Sequence, residues 1–137
     1  MIVVDANLLV AMISGDPRGT TVFEKFAQWI RDDVELHAPA LAQYEVANAL
    51  TRLIVARMFE VDRLERASVR LSSLPIEYHP IDNAKRVVEI ALELTRQTAY
   101  DAAYLALAEE LRTEVWTLDG PLYRNASARG LPVRLLA

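Results

Sequence analysis

Cysteine is absent from this 137-residue chain. Disulfides, thiolate zinc sites and a cysteine nucleophile are therefore excluded, and the lack fits a reducing compartment. Glycine is scarce: Gly15, Gly19, Gly120 and Gly130 are all there are. With no Gly-rich loop, a nucleotide site of the Rossmann or P-loop kind is disfavoured. Lysine is nearly missing too, with Lys25 and Lys85 alone. No apolar run is long enough to span a bilayer. The opening MIVVDAN lacks the basic-then-apolar pattern of a signal peptide. These absences point to a cytoplasmic protein with no membrane partner.

What is present describes a folded domain. Hydrophobic residues make up 53% of the chain, too many for a disordered segment. The length suits one domain over residues 1–137, large enough to bury a core without staples. Fifteen Lys and Arg face 19 Asp and Glu, a net charge of −4. That balance argues against a nucleic-acid binder held by bulk electrostatics. The basic residues are almost all arginine, whose fork suits phosphate or carboxylate. Phosphate recognition is therefore left open, on the condition that it be local and metal-assisted.

The pattern alternates between strands and helices. Ile2-Val3-Val4 reads as a short buried strand. Asp16-Pro17 reads as a helix start, with apolar residues Val22, Phe23, Phe26, Ala27 and Ile30 following at helical spacing. A second strand is expected over 34–38, a long apolar helix over 41–58, another helix over 62–74 and a strand over 76–79. Asp82 is expected to cap a helix running to Thr95. An Ala- and Leu-rich helix is expected over 98–111, a strand over 115–118, a short helix over 121–128 and a last strand over 131–135. Such alternation implies an α/β fold with a mostly parallel sheet. The strands are short apolar runs, as expected where both faces are covered. Ligands in such sheets bind beyond the carboxyl ends of the strands, at a topological switch point. Asp5 and Asp119 each follow an apolar strand and are picked out by that rule.

Four acids stand out, each with a plainer explanation beside it. Asp5 is equally a turn residue or a helix cap. Glu45 interrupts the apolar run from Ala38 to Leu50, and shares a helical face with Asn48 and Arg52. That stripe is narrow for a solvated face, and a buried acid needs a partner or a metal. Asp101 lies in Thr98-Ala99-Tyr100-Asp101, which has the form of a capping box. Asp119, before Gly120-Pro121, reads first as an Asx turn leading into the short helix. Glu60, Glu65, Glu89, Glu93 and Glu110 lie beside arginines on helical surfaces and read as solvated faces. His37 and His79 lie in or beside strands, without a partner at metal-ligand spacing, and read as structural. Tyr44, Tyr100 and Tyr104 read as core. Arg124 and Arg129 fall near Asp119 and read as surface arginines.

Should the four carboxylates converge, their like charges would resist joint ionisation. A hard divalent cation relieves that repulsion, and oxygen-only ligands select Mg²⁺ or Mn²⁺ over zinc. Such an ion activates water, stabilises charge on phosphate, and bridges an acidic protein to a polyanion.

The motifs Ile2-Val3-Val4-Asp5-Ala6-Asn7, Tyr44-Glu45-Val46-Ala47-Asn48-Ala49-Leu50, the helix from Thr98-Ala99-Tyr100-Asp101 to Ala108, and Thr117-Leu118-Asp119-Gly120-Pro121-Leu122 follow in order along the chain. With them the chain resembles the PIN-domain family, and within it the VapC-type toxins of toxin–antitoxin pairs. The resemblance implies a three-layer α/β/α sandwich around a parallel sheet. It implies a Mg²⁺- or Mn²⁺-dependent endoribonuclease whose metal is held by Asp5, Glu45, Asp101 and Asp119. Asn7 and Thr117 are then expected to support those ligands or orient water. A homodimer and inhibition by a small antitoxin are further implications. Two rivals stand beside this reading. A receiver-like signalling module needs a lysine late in the chain, where none exists. A catalytically inactive PIN-like nucleic-acid-binding protein sits poorly with four intact acids.

Overall fold

A computed structural model describes residues 1–96 and 98–136. The elements run β1 (Ile2–Val4), α1 (Ala6–Ile13), α2 (Gly19–Arg31), β2 (Leu36–Pro39), α3 (Leu41–Val55), a 3₁₀ turn (Val61–Arg63), α4 (Leu64–Ser72), β3 (Ile76–His79), α5 (Ala84–Glu93), α6 (Tyr100–Leu111), β4 (Val115–Thr117), α7 (Gly120–Ala128) and β5 (Val133–Leu135). The five strands form one sheet in the order β3-β2-β1-β4-β5, every pairing parallel. The expected three-layer α/β/α architecture is what the chain adopts.

Both faces of the sheet are covered. Val3 and Val4 point to opposite faces, yet each is fully buried. From β1 the chain steps outward through β2 to β3, then returns to β4 and continues to β5. Right-handed crossovers therefore place the helices before β3 on one face and those after it on the other. The packing agrees: α1 contacts α2, α3 and α4, while α5 packs on α6, and α6 on β1 and β2. Arg86 on α5 ties the second group together with two hydrogen bonds to the Glu109 carboxylate of α6, at 2.7 and 2.8 Å. The sheet reverses its direction of growth beside β1, so a crevice opens at the carboxyl ends of β1 and β4.

Several boundaries differ from expectation, for local reasons. Helix α1 was not anticipated as a periodic element. Ala6, Leu8, Leu9, Ala11, Met12 and Ile13 are all buried, so it has no broad polar face from which to read a period. Helix α2 starts at Gly19 rather than Pro17. The Asp16 carboxylate accepts from the Arg18 backbone N–H at 2.8 Å, and the Arg18 side chain folds back onto it. That local turn uses the capping acid before the helix begins. Gly19 is required by packing, since a Cβ there would sit 2.5 Å from the carbonyl oxygen of Ala11. Asn83, not Asp82, caps α5 by accepting from the Arg86 N–H at 3.0 Å. The 62–74 helix divides into the 3₁₀ turn and α4.

The shortage of glycine has a visible consequence. Just past the ends of α2, α3, α5 and α6, the left-handed positions are filled by Asp33, Arg57, Thr95 and Arg112, with φ between 54° and 57°. Glycine takes this conformation without the Cβ penalty.

Candidate metal centre

The acids expected to act together lie in one pocket. Asp5, Glu45, Asp101 and Asp119 all line a cavity of about 640 Å³ at the crevice. Asn48 and Arg52 line it beside Glu45, as their shared helical face predicts.

Asp5 stands between β1 and α1, where its backbone N–H donates to the Trp116 carbonyl of β4 at 3.0 Å. It occupies the N-cap position, but its side chain makes no capping hydrogen bond. Instead its Oδ2 accepts from the Thr117 hydroxyl at 2.7 Å and from the Asn7 amide at 3.2 Å. Asn7 also donates to Thr117 Oγ1 at 2.9 Å and accepts from the Leu118 N–H at 3.1 Å. The same hydroxyl accepts from the Asp119 N–H at 3.0 Å. Thr117 thus sits fully buried at the centre of a web joining the carboxyl ends of β1 and β4, and that web aims Asp5.

The remaining acids are held differently. Glu45 projects from α3 and accepts a 2.6 Å hydrogen bond from the Tyr104 hydroxyl of α6. Asp101 lies in the first turn of α6. The capping box expected there does not form: Ala99 is the N-cap, and no side chain caps the helix. Asp119 does cap, accepting from the Leu122 N–H of α7 at 3.0 Å through Oδ1. The turn-and-cap reading was therefore right for this residue, which lines the pocket as well.

Burial and mutual repulsion set the electrostatics. Burial pushes the Asp5 carboxyl from 3.8 up to about 7; the Thr117 hydrogen bond opposes this, and the charges of Asp101 and Glu45 add to it. Burial likewise raises Glu45, against the Tyr104 hydrogen bond, with the Asp101 charge adding. Asp101 is raised by burial, lowered by the Arg96 charge and raised again by Asp119. The Tyr104 hydroxyl is driven far up by burial and by the Asp5 charge, so it stays a donor to Glu45.

This donor set fits a hard divalent cation. It is all oxygen, partly buried, and carries more negative charge than the site tolerates. Among the described residues, no three of the four carboxylates bring an oxygen within 4.8 Å of one another. An ion in this pocket would be touched by one or two of the carboxylates and would reach the others through its own waters.

Some residues stand otherwise than expected. Tyr104 is buried, as anticipated, but Tyr44 is 77% exposed and Tyr100 57% exposed. Both lie on the rim of the acidic pocket rather than in the core. Each precedes a pocket acid in sequence, so a helix turn carries it outward as the acid turns in. Arg18 lines the pocket too, an assignment that its local pairing with Asp16 conceals in the sequence. Arg129 donates to the Glu93 carbonyl, which gives it a structural role. His37 and His79 do have partners: they meet each other across β2 and β3, at 2.8 Å.

Comparison with known proteins agrees with this geometry. The PIN domain family matches residues 2–127. The chain belongs to the PIN-domain family. Ribonuclease VapC12 of Mycobacterium tuberculosis is 32% identical over 126 residues, covering 91% of this chain and 92% of that protein. Ribonuclease VapC3 of Pyrobaculum aerophilum is 30% identical over 134 residues, covering 96% and 98%. The crystal structure of PAE2754 from Pyrobaculum aerophilum superposes with a TM-score of 0.67 at 27% identity, over 90% of this chain and 84% of that one. As a PIN-domain protein, the chain joins a family of nucleases that use divalent metal. Among the described residues, no helix is long and apolar enough to cross a membrane.

Proposed function

We propose that this PIN-domain chain is a Mg²⁺- or Mn²⁺-dependent endoribonuclease, the toxin of a cytoplasmic toxin–antitoxin pair. The observation that carries the reading is the single pocket lined by Asp5, Glu45, Asp101 and Asp119. Relatives named ribonucleases over nearly the whole chain support it.

In this reading the four carboxylates hold the cation. When bound, it offsets their repulsion, acidifies water and neutralises charge on the attacked phosphate. The rest falls to the chain's own groups. Thr117 and Asn7 hold Asp5 in one orientation. Tyr104 does the same for Glu45. Arg18 and Arg52 line the pocket and can fork onto RNA phosphates. Tyr44 and Tyr100 offer exposed ring faces at the rim on which bases can stack.

The partner is a small antitoxin protein, and the chain works as a homodimer. Exposed apolar residues from the end of α3 through the 3₁₀ turn into α4 — Val55, Met58, Val61, Leu64 and Val69 — offer surface for such contacts.

RNA cleavage assayed with Mg²⁺, with Mn²⁺ and with EDTA tests the reading. Cleavage is expected with either metal and not with EDTA. Asp101→Asn is expected to fold normally and lose more than about a hundredfold in rate. If a folded Asp101→Asn cuts as well as the wild type, the assigned site is wrong. Absence of cleavage and of divalent-metal binding in the intact protein would favour the inactive, binding-only reading.

A further inference from the structure

We propose that His37, Glu77 and His79 form a second metal site, for zinc or a similar borderline transition ion, that clasps the edge strand β3 to β2. None of the three lines the acidic pocket, and the inference does not rest on nuclease activity.

The sheet register builds the cluster. His37 pairs with Glu77, and Pro39 with His79. Side chains alternate along a strand, so Glu77 and His79 share a face, and the register puts His37 on it. His37 Nδ1 lies 2.8 Å from His79 Nε2 and 3.6 Å from Glu77 Oε2. The three potential ligand atoms all fall within 4.8 Å of one another. The ring of His37 is buried, whereas Glu77 is exposed. An ion could therefore reach the site from solvent and find a fixed imidazole at its inner wall.

The outer arrangement fits a metal as well. The second ring nitrogen of His37, Nε2, lies 3.4 Å from Glu35 Oε2. A carboxylate behind the far nitrogen of a ligating histidine fixes its tautomer and aims its lone pair at the metal. Here it would keep the His37 proton on Nε2 and leave Nδ1 free to bind. Without metal, one imidazole must donate to the other across the 2.8 Å gap. On metal entry His79 changes tautomer, its proton passing from Nε2 to Nδ1 through solvent, and both lone pairs turn to the ion. Two nitrogens bound to a tetrahedral zinc at about 2.0 Å lie roughly 3.3 Å apart, so the rings need to part by only about half an ångström. Two imidazoles and one carboxylate prefer zinc, nickel or cobalt over magnesium. Three protein ligands leave one position for water.

The consequence for the fold is direct. Strand β3 is an edge, and β2 leads almost at once into α3, which carries Glu45. A metal across β2 and β3 braces the platform from which that helix starts.

Titration with Co²⁺ and with Zn²⁺ tests the site, read by the visible absorption of bound cobalt, by calorimetry and by thermal unfolding. With the acidic pocket kept loaded by excess Mg²⁺, the wild type is expected to bind one further Co²⁺ that Zn²⁺ displaces. At a hundredfold excess over Kd, Zn²⁺ should raise Tm by on the order of 5–10 °C. A variant with a disabled acidic pocket, Asp101→Asn, should bind Zn²⁺ as the wild type does. His79→Gln should lose the cobalt spectrum and the Tm rise. Glu77→Gln, at an exposed position outside the core, should weaken binding by at least about tenfold. The proposal is overturned if the wild type binds no Co²⁺. It is equally overturned if Glu77→Gln and His79→Gln bind as the wild type does, or if Asp101→Asn removes the binding.

Discussion

The buried carboxyl of Asp5 makes the metal-free protein work against itself, and Asp5→Asn should show it. The folded chain keeps the Asp5 proton up to about pH 7, whereas an ordinary aspartate releases it near 3.8. Between those values the folded state binds more protons than the unfolded one. Stability without metal must therefore fall as pH rises through that window. The whole gap corresponds to about 4 kcal/mol, of which roughly 2 kcal/mol falls between pH 5 and pH 7. Asparagine keeps the acceptor for Thr117 and carries no charge to desolvate. In EDTA at pH 8, Asp5→Asn should be more stable than the wild type by about 2–4 kcal/mol, a Tm increase of roughly 5–15 °C. The difference should shrink steadily as pH falls and close only near pH 4. Saturating Mg²⁺ should raise the wild type and leave the variant almost unmoved, and the variant should not cleave RNA. Thermal unfolding of both proteins from pH 5 to pH 8, with and without Mg²⁺, measures all of this. If metal-free wild type is as stable at pH 8 as at pH 5, or if Asp5→Asn melts below it at pH 8, the electrostatic account of the pocket is refuted.

Three further perturbations separate the supporting groups from the acids. Tyr104→Phe removes the 2.6 Å hydrogen bond to Glu45 and should weaken Mg²⁺ binding by roughly tenfold, read by calorimetry, with the melting temperature little changed. Thr117→Val leaves Asp5, Asn7 and the Asp119 N–H without their shared hydroxyl and should cost about 1–3 kcal/mol in urea unfolding. Arg112→Gly places glycine at the left-handed end of α6, where φ is 56°, and should stabilise the fold by about 1 kcal/mol with cleavage unchanged.

The strands and most helices were legible because their signals are local. An apolar run bounded by turn residues marks β1 or β4 whatever surrounds it. The same holds for Asp5 and Asp119, which draw notice from where the strands stop, and for Glu45, which breaks an apolar helix. Side-chain destinations were less legible. Thr98 and Asp101 have the spacing of a capping box, yet the helix begins with Tyr100 and no side chain caps it. Asp101 lines the pocket instead. Tyr44 and Tyr100 belong to apolar stretches and read as core, but the turn that brings Glu45 and Asp101 inward carries their neighbours out.

The contacts that complete the site span distances no pattern along the chain encodes. Tyr104 meets Glu45 across 59 residues, Thr117 meets Asp5 across 112, and His37 meets His79 across 42. Each depends on strand order. Because β1 lies between β2 and β4, its carboxyl end faces the ends of both neighbours, and groups from distant segments converge there. Had β4 joined the sheet beyond β3, Asp5 would keep its strand and its helix but lose Thr117 and the hydrogen bond that opposes its protonation. The four acids are a property of the chain; that they share one pocket is a property of the topology.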